Sequence, residues 1–516
     1  MHTRTPVPSE LTDRPSTRFN RRSFLLRGAQ SLAALVLAPT LLNGCDSGQE
    51  SFVFEGQPQA NLPFDTLQRL LDGPLLRPAS PGFAEAAVPW NLRYADRLPA
   101  AIARCATLDD IAESLSWAQD NEVPFVTRSG GHSYSGFSTT PGLMIDISQM
   151  RGVNYQDGRV TLGPGARNLT VYDNLRPPSR AVTHGRCANV GVAGLCLGGG
   201  IGFNMRLHGL TCDQLVETDI LLADGRVLTL SETQNPDLFW AVRGAGGGNF
   251  GIHTSMTFQT FAVSTVTAFN ISWTDNIAEL MVQVMSLLQT APRELGIKVK
   301  VAVAQTEAGQ NRLTFNILGQ LVGTPAQLTD ILAPLYAVAA PSGAPMIQEL
   351  AYWDAQENVL GEEGAPEFSY ERSRYVNTAL SEQGIETILN NLLAWPGLDG
   401  AADWKIFLTG GAIADVAPDA TAYVHRQAFG ISSVELEWKG TESQTVIEAN
   451  RQWVDDFHQA MAAFTSNQSY QNFIDASQSN FLRAYYGANL ERLVQVKQTY
   501  DPGNVFHYPQ SIPVSL

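Results

Sequence analysis

Charge is scarce in this chain, and positive charge is scarcer still. Charged residues fill 16% of its 516 positions, and 34 Lys plus Arg face 50 Asp plus Glu, a formal charge of −16. Such a field repels a phosphate backbone and argues against a nucleic-acid partner. Cysteine is rarer: five residues, an odd number, so an even disulfide framework is excluded unless one thiol has another job. Apolar runs are short, and the one near the N-terminus falls below the roughly 20 residues that cross a bilayer. Internal repeats and low-complexity tracts are absent as well. With 44% hydrophobic residues the chain is neither disordered nor a polytopic membrane protein. Its length, at about 150 residues per domain, fits two to four domains. What is plentiful is glycine, 44 residues gathered in a few clusters, a sign of backbone lying close to a ligand.

Residues 1 to 44 differ from the rest. Arg4, Arg14, Arg18, Arg21, Arg22 and Arg27 meet only Glu10 and Asp13, and an uncharged stretch from Gly28 to Leu42 follows. Arg21-Arg22-Ser-Phe-Leu-Leu before that stretch predicts a twin-arginine export signal. Leu42-Asn-Gly-Cys45 is similar to a lipoprotein processing box and makes Cys45 a candidate acylated residue. The competing reading is a signal cleaved elsewhere, leaving a soluble periplasmic or secreted enzyme. A twin-arginine route carries folded cargo, which directs attention to a cofactor inserted before export.

Further along, the Pro, Gln and Asn content of residues 46 to 88 predicts a tether merging into a short helix, Phe64 to Leu71. Thr107 caps a helix with Leu108, Ile111, Leu115 and Ala118 on one face. Strands are expected at Pro124 to Thr127, Met144 to Ile147, Val160 to Leu162 and Ile220 to Leu230, with Asp-Gly turns between them. From about 263 to 469 helical patterns such as Ile277 to Leu288 and Ile385 to Leu393 alternate with strands near 297–304, 313–320 and 430–438. This predicts an α+β architecture with a second layered unit, and Ala488 to Tyr500 reads as a final helix.

Three glycine clusters carry the chemistry. Gly246-Gly-Gly-Asn-Phe-Gly251 matches G-x-G-x-x-G, but a helical pattern precedes it and a strand follows, the reverse of the dinucleotide-binding order. A tight turn or a non-Rossmann cofactor loop remains. In Arg128-Ser-Gly-Gly-His-Ser-Tyr134, successive N–H groups freed of β-carbons can close on a pyrophosphate, with Ser129 and Ser133 as donors and His132 in reach; an ordinary turn with a surface histidine is the alternative. The third, His184 to Gly202, contains Cys187 and Cys196. A zinc site built from these with Cys212 lacks the paired spacing such sites favour, whereas one thiol in a glycine loop suits an electrophilic cofactor.

Together these blocks resemble the flavin loops of the berberine-bridge-enzyme-like FAD-linked oxidases, in the vanillyl-alcohol oxidase and p-cresol methylhydroxylase superfamily. The resemblance continues through Asp213 to Ile220, Asp237 to Gly251, Thr421-Ala-Tyr-Val-His-Arg426 and Asp501 to Ile512. It implies a two-subdomain FAD-binding domain of PCMH type (89–262), a substrate domain with an antiparallel sheet covered by helices (263–469), and a C-terminal return (470–516). It further implies bicovalent FAD, with His132 on the 8α-methyl carbon and Cys187 on C6. The cofactor-binding residues it implies are Arg128, Ser129, Gly130, Gly131, Ser133, Val190, Gly191, Gly194, Gly198, Gly199, Gly200, Gly247, Gly248, Asn249, Gly251, Ile252, Asn504 and Tyr508. Cys105, Cys196 and Cys212 are then packed thiols.

The expected reaction is hydride transfer from a hydroxylated carbohydrate or natural product to flavin while a base takes the hydroxyl or amine proton. Many relatives carry Tyr-x-Asn-Tyr with the second tyrosine as base, whereas this chain has Tyr470-Gln-Asn472-Phe473. The candidates left are Glu435, which shares a strand face with Glu437, and Tyr470 and Tyr375; a solvated acidic edge is the plainer reading of the glutamates. Trp273, Tyr352, Trp353, Trp395 and Trp404 fit either a substrate cleft or a core. Val190, three residues after Cys187, is the residue that goes with oxidases in the family, so molecular oxygen is the expected acceptor. The rivals are a dehydrogenase passing electrons to a quinone or cytochrome and a non-catalytic flavin-binding lipoprotein.

Overall fold

In the computed structural model the described residues are 62–516, so the export signal, Cys45 and the start of the tether lie outside them. The tether does not extend to residue 88: Phe64, Leu67, Leu75 and Phe83 are buried, and apolar side chains fix this stretch to the first sheet.

That sheet has four strands, β1 (Leu75–Leu76), β2 (Ala101–Arg104), β3 (Phe125–Arg128) and β4 (Leu143–Asp146), in the order β1-β2-β4-β3. The last three run parallel, as a crossover helix between β2 and β3 requires. This helix, Leu108–Asp120, starts where Thr107 accepts from the Asp110 N–H and Asp110 answers to the Thr107 N–H. The buried Asp110 carboxylate also accepts from Asp72 and Ala106 N–H at 2.7 Å each. Ile111, Leu115 and Ala118 are buried as expected, but Leu108 lies exposed at the helix start, and Ser114 and Trp117 complete the buried face.

A second sheet, wholly antiparallel, contains β5 (Val153–Gln156), β6 (Arg159–Leu162), β7 (Leu215–Leu221), β8 (Val227–Ser231) and β9 (Ile252–Gln259), ordered β5-β6-β9-β7-β8. The β5–β6 hairpin turns on Asp157 and Gly158, both at positive φ (52° and 79°), as a two-residue turn matched to strand twist demands. A helix, Pro236–Val242, precedes the Gly246–Gly251 cluster and β9 follows it, the order that excludes a Rossmann unit.

The third sheet has seven antiparallel strands: β10 (Thr265–Trp273), β11 (Leu295–Gln305), β12 (Asn311–Leu321), β13 (Met346–Ala351), β14 (Phe368–Val376), β15 (Gly400–Leu408) and β16 (Gly430–Trp438). Their order is β13-β10-β12-β11-β15-β16-β14. Side chains alternate between its faces. Ile297, Val299, Val301, Trp404, Ile406, Val434 and Leu436 bury against helices Ile277–Gln289, Pro325–Val338, Glu382–Leu393 and Gln444–Ala460. The intervening positions, Lys298, Lys300, Asp403, Lys405, Ser433, Glu435 and Glu371, point the other way and form a charged inner face. The final helix is Leu490–Tyr500, its predicted first turn tightened over Gly487–Asn489.

Candidate active site

Strand β3 ends on Arg128 and delivers the His132 loop from its C-terminal end. Ser129 Oγ donates to Pro164 O at 2.7 Å, Ser133 Oγ accepts from Phe137 N–H at 3.1 Å, and Gly131 has φ 76°. A β-carbon on Gly130 would lie 2.3 Å from Gly191 N, so glycine in both loops lets their backbones touch. Arg128 does not serve as a free phosphate donor. Its guanidinium donates to the carbonyls of Ser138 (2.7 Å), Ala86 (2.8 Å), Ala87 (3.0 Å) and Val88 (3.2 Å), because the loop needs a strut there; Nη2 alone is unpartnered.

His132 stacks on Trp90 at 4.8 Å, and its Nε2–H donates to Gly364 O at 3.2 Å. Burial lowers the imidazole to about 4, so it is neutral at ordinary pH. Cys187 lies on the turn that Val190 N–H closes on Cys187 O (3.2 Å), and its thiol donates to Glu362 at 2.9 Å. Burial and then the Glu362 charge push that thiol well up. Arg186 pairs with Glu362 at 2.9 Å. A β-carbon on Gly364 (φ 68°) would sit 2.9 Å from Cys187 Cβ and 3.2 Å from His132 Cε1. The two predicted attachment residues, 55 positions apart, therefore meet on one glycine.

The other glycines close the cradle. Gly198, Gly199 and Gly200 leave no room for a β-carbon beside Asn472, Tyr423 and Thr211, while one on Gly194 would meet nothing. Gly246 N–H donates to Leu197 O at 2.8 Å, joining the Gly246–Gly251 cluster to the His184–Gly202 cluster. Gly247 and Gly248 lie open apart from Leu197 and Tyr508, and Gly251 packs on Leu221 O. Asn249 is a buried hub: its Oδ1 accepts from Ile512 N–H (2.9 Å) and its carbonyl from Lys497 Nζ (2.6 Å). Ile252 belongs to β9, and its side chain packs in the core of the first sheet instead of facing the cradle. Asn504, at φ 50°, has an unpartnered buried Oδ1, and the Tyr508 ring lies 5.3 Å from that of Phe137.

The catalytic candidates fare differently. Tyr470 OH accepts from Gly200 N–H and Asn472 Nδ2, both at 3.0 Å; Tyr375 OH bonds Tyr423 OH at 2.7 Å. Both phenols are buried and, through burial first, raised above their ordinary value. Each hydroxyl is bonded within the core, Tyr470 to the Gly200 turn and Tyr375 to Tyr423. Glu435 is no solvated edge: it lies on the inner face, opposite Glu371 and Asp403 in register, and pairs with Lys405, which also binds Glu371 at 3.1 Å. Burial, then Glu435, raises Glu371 to about 8. Tyr134, Glu371, Lys405, Lys298 and Glu362 were not among the sequence candidates. Tyr134 was signalled by its place two residues after His132; it stacks on Phe473 at 5.3 Å and 8° and on Trp90 at 4.9 Å. The five cleft aromatics are core: Trp273, Trp395 and Trp404 under the helices, Tyr352 and Trp353 around His184. Tyr352 OH and Gly185 O take both ring nitrogens of His184, and Cys105, Cys196 and Cys212 are fully buried thiols.

Three glycine turns, with an imidazole and a thiol on one glycine, fit a phosphate-bearing cofactor with two tethers. Family models agree with this geometry: an FAD binding domain matches residues 99–231, and the berberine and berberine-like model matches residues 469–513. The FAD-linked oxidoreductase YgaK of Bacillus subtilis is 34% identical, over 86% of this chain and 97% of that protein. The chain belongs to the berberine-bridge-enzyme-like FAD-linked oxidases. Glucooligosaccharide oxidase from Sarocladium strictum is 31% identical over 81% of this chain and 87% of that enzyme. A solved glucooligosaccharide oxidase from Acremonium strictum, described with a 6-S-cysteinyl, 8α-N1-histidyl FAD, superposes with TM-score 0.76 at 27% identity, covering 86% and 98% of the two chains. As a berberine-bridge-enzyme-like protein the chain is an FAD-dependent oxidoreductase, its α+β fold that of the family.

Proposed function

We propose that this protein is a bicovalently flavinylated oxidase that takes hydride from a hydroxyl-bearing carbon of a carbohydrate and passes the electrons to oxygen. The observation that carries the reading is the meeting of His132 and Cys187 on Gly364, two nucleophilic side chains placed for one ring. The likeness to an oligosaccharide oxidase whose FAD bears one cysteinyl and one histidyl bond supports it. When bound, FAD supplies the hydride acceptor and the route to oxygen.

The chain's own residues do the rest. Glu371, Lys405 and Glu435 present acceptors and a cation on the inner face, groups that suit a substrate rich in hydroxyls. Glu435, held by Lys405, is placed to orient a substrate hydroxyl. Val190, on the turn that carries Cys187, supports oxygen as the acceptor over a quinone or cytochrome. The Arg21-Arg22 segment supports export by the twin-arginine route, with Cys45 as a lipid anchor where processing occurs there.

Anaerobic mixing with a gluco-oligosaccharide is expected to bleach the flavin, and admitting oxygen to restore it within seconds with one hydrogen peroxide per sugar oxidised. Reoxidation lasting minutes would favour the dehydrogenase, and no bleaching by any oligosaccharide would reject the carbohydrate reading.

A further inference from the structure

Lys298 is unlike the other cations of the inner face. Lys300 pairs with Asp403 at 3.4 Å and Lys405 with Glu371 and Glu435. Lys298, only 8% exposed, has no hydrogen bond or ion pair among the described residues. The register puts it between Leu318 of β12 and Phe407 of β15, with Nζ 6.0 Å from the Phe407 ring centre. Phe407 in turn lies 6.3 Å from Phe473 and Phe473 stacks on Tyr134, so the amine borders the aromatic wall beside His132.

The charged groups facing it come from three directions: Arg186 from the Cys187 turn, Lys405 from β15 and Lys300 from its own strand, against one anion, Glu362, from the segment before β14. Burial first, then these cations, lowers the ammonium to about 7. A lysine buried without a counter-ion gives up its proton near neutrality, and as the free amine it is a proton acceptor. Of the other groups around it, Glu435 is bonded to Lys405, Tyr375 to Tyr423 and Tyr470 to the Gly200 turn, and Phe473 has no proton to exchange.

We propose that Lys298, as the free amine, takes the hydroxyl proton of the substrate while hydride leaves the carbon that bears it. The O–H proton passes to Nζ and its electron pair forms the C=O bond. The C–H bond breaks with both electrons going to the flavin; oxygen later receives those two electrons and two protons as hydrogen peroxide, and Nζ returns its proton to water. This rests on the oxidase reading above.

The test is the rate of anaerobic flavin bleaching against pH for the wild-type protein, Lys298→Met and Lys298→Arg. The wild-type rate is expected to fall about tenfold per pH unit below about pH 7 and to level off above it. Both variants are expected to lose about 10²- to 10⁴-fold in that rate and to lose the acid limb, with covalent flavin retained and the concentration for half-maximal bleaching little changed. Lys298→Arg working at the wild-type rate would show that only a cation is needed, and Lys298→Met keeping rate and limb would show that the amine is idle; either overturns the proposal. Should Lys298→Met fail to fold, the wild-type limb and the arginine variant still decide it. If the wild-type flavin is bleached by no sugar, the oxidase reading itself has failed.

Discussion

Gly364 is the residue on which the site closes, and it combines two requirements that only glycine meets. Its φ of 68° is a left-handed conformation, and its missing side chain is the space into which Cys187 and His132 pack. Gly364→Ala is expected to cost about 1–2 kcal/mol from the backbone alone and to push the thiol or the imidazole off line. Acid precipitation of that variant should leave a smaller share of yellow colour in the pellet than the wild type does. At this scale His132 and Cys187 were legible through the resemblance of their glycine-rich loops to flavin loops, since the glycines alone left an ordinary turn open. Gly364 was not: a single Glu-Gly-Ala-Pro stretch says nothing about which loop it will meet. Lys298, Glu371 and Lys405 were hidden for a related reason. Period-two alternation shows that a strand has two faces but not which face will turn toward the cofactor.

The elements explain why separated sequence blocks go together. Asp213 opens one block and Arg426 closes another more than 200 residues away, and in the fold Arg426, fully buried, forms two bonds to Asp213 at 2.8 and 2.7 Å and a third to Thr421. The pair holds the 421–426 segment on the Gly198–Gly200 turn, whose carbonyls accept from Cys212 and Thr211 N–H. Asp213→Ala leaves an uncompensated buried guanidinium and is expected to cost about 3–5 kcal/mol, read as a lower urea midpoint. The C-terminal helix is tied in the same way: Lys497 donates to Asp501 (2.7 Å), Asn249 O and Phe506 O (2.6 Å each), all buried. Lys497→Met is expected to free the last segment from the Gly246–Gly251 cluster, with faster proteolysis there as the readout. The strands near 297–304, 313–320 and 430–438 and the helices from Ile277 and Ile385 were legible from periodicity to within a few residues, whereas strands Thr265–Trp273, Phe368–Val376 and Gly400–Leu408 and helices Pro325–Val338 and Gln444–Ala460 were not read. In the segment 62–88 the helix at Phe64 was legible, but its packing was not, because the proline-rich composition hides the few apolar residues that fix it to the first sheet.

Across the whole molecule, buried histidines set the acid limit. His184, His208, His253 and His425 are lowered to about 4 and His458 to about 3, each chiefly by burial. The unfolded chain takes up protons at these residues as pH falls below about 6.5 while the folded chain does not, so their contribution to stability is lost between about pH 6.5 and about pH 4. Glu367 and Glu371, raised to about 8, and Glu437, raised to about 7, act in the opposite sense: they favour the folded state at low pH and lose that contribution as pH rises toward 8. The five histidines outweigh the three carboxyls on the acid side. Melting should therefore occur at a lower temperature at pH 5 than at pH 7, and an unchanged or higher Tm at pH 5 would contradict the assignment. The three-sheet order was beyond sequence reading, since strand pairing between β9 and β6, or β16 and β14, depends on contacts between distant residues. That His132 and Cys187 clasp one flavin is tested most directly by mass spectrometry of the digested protein: one FAD joining the peptide that contains His132 to the peptide that contains Cys187 is the predicted result, and two unmodified peptides with free FAD in solution would contradict it.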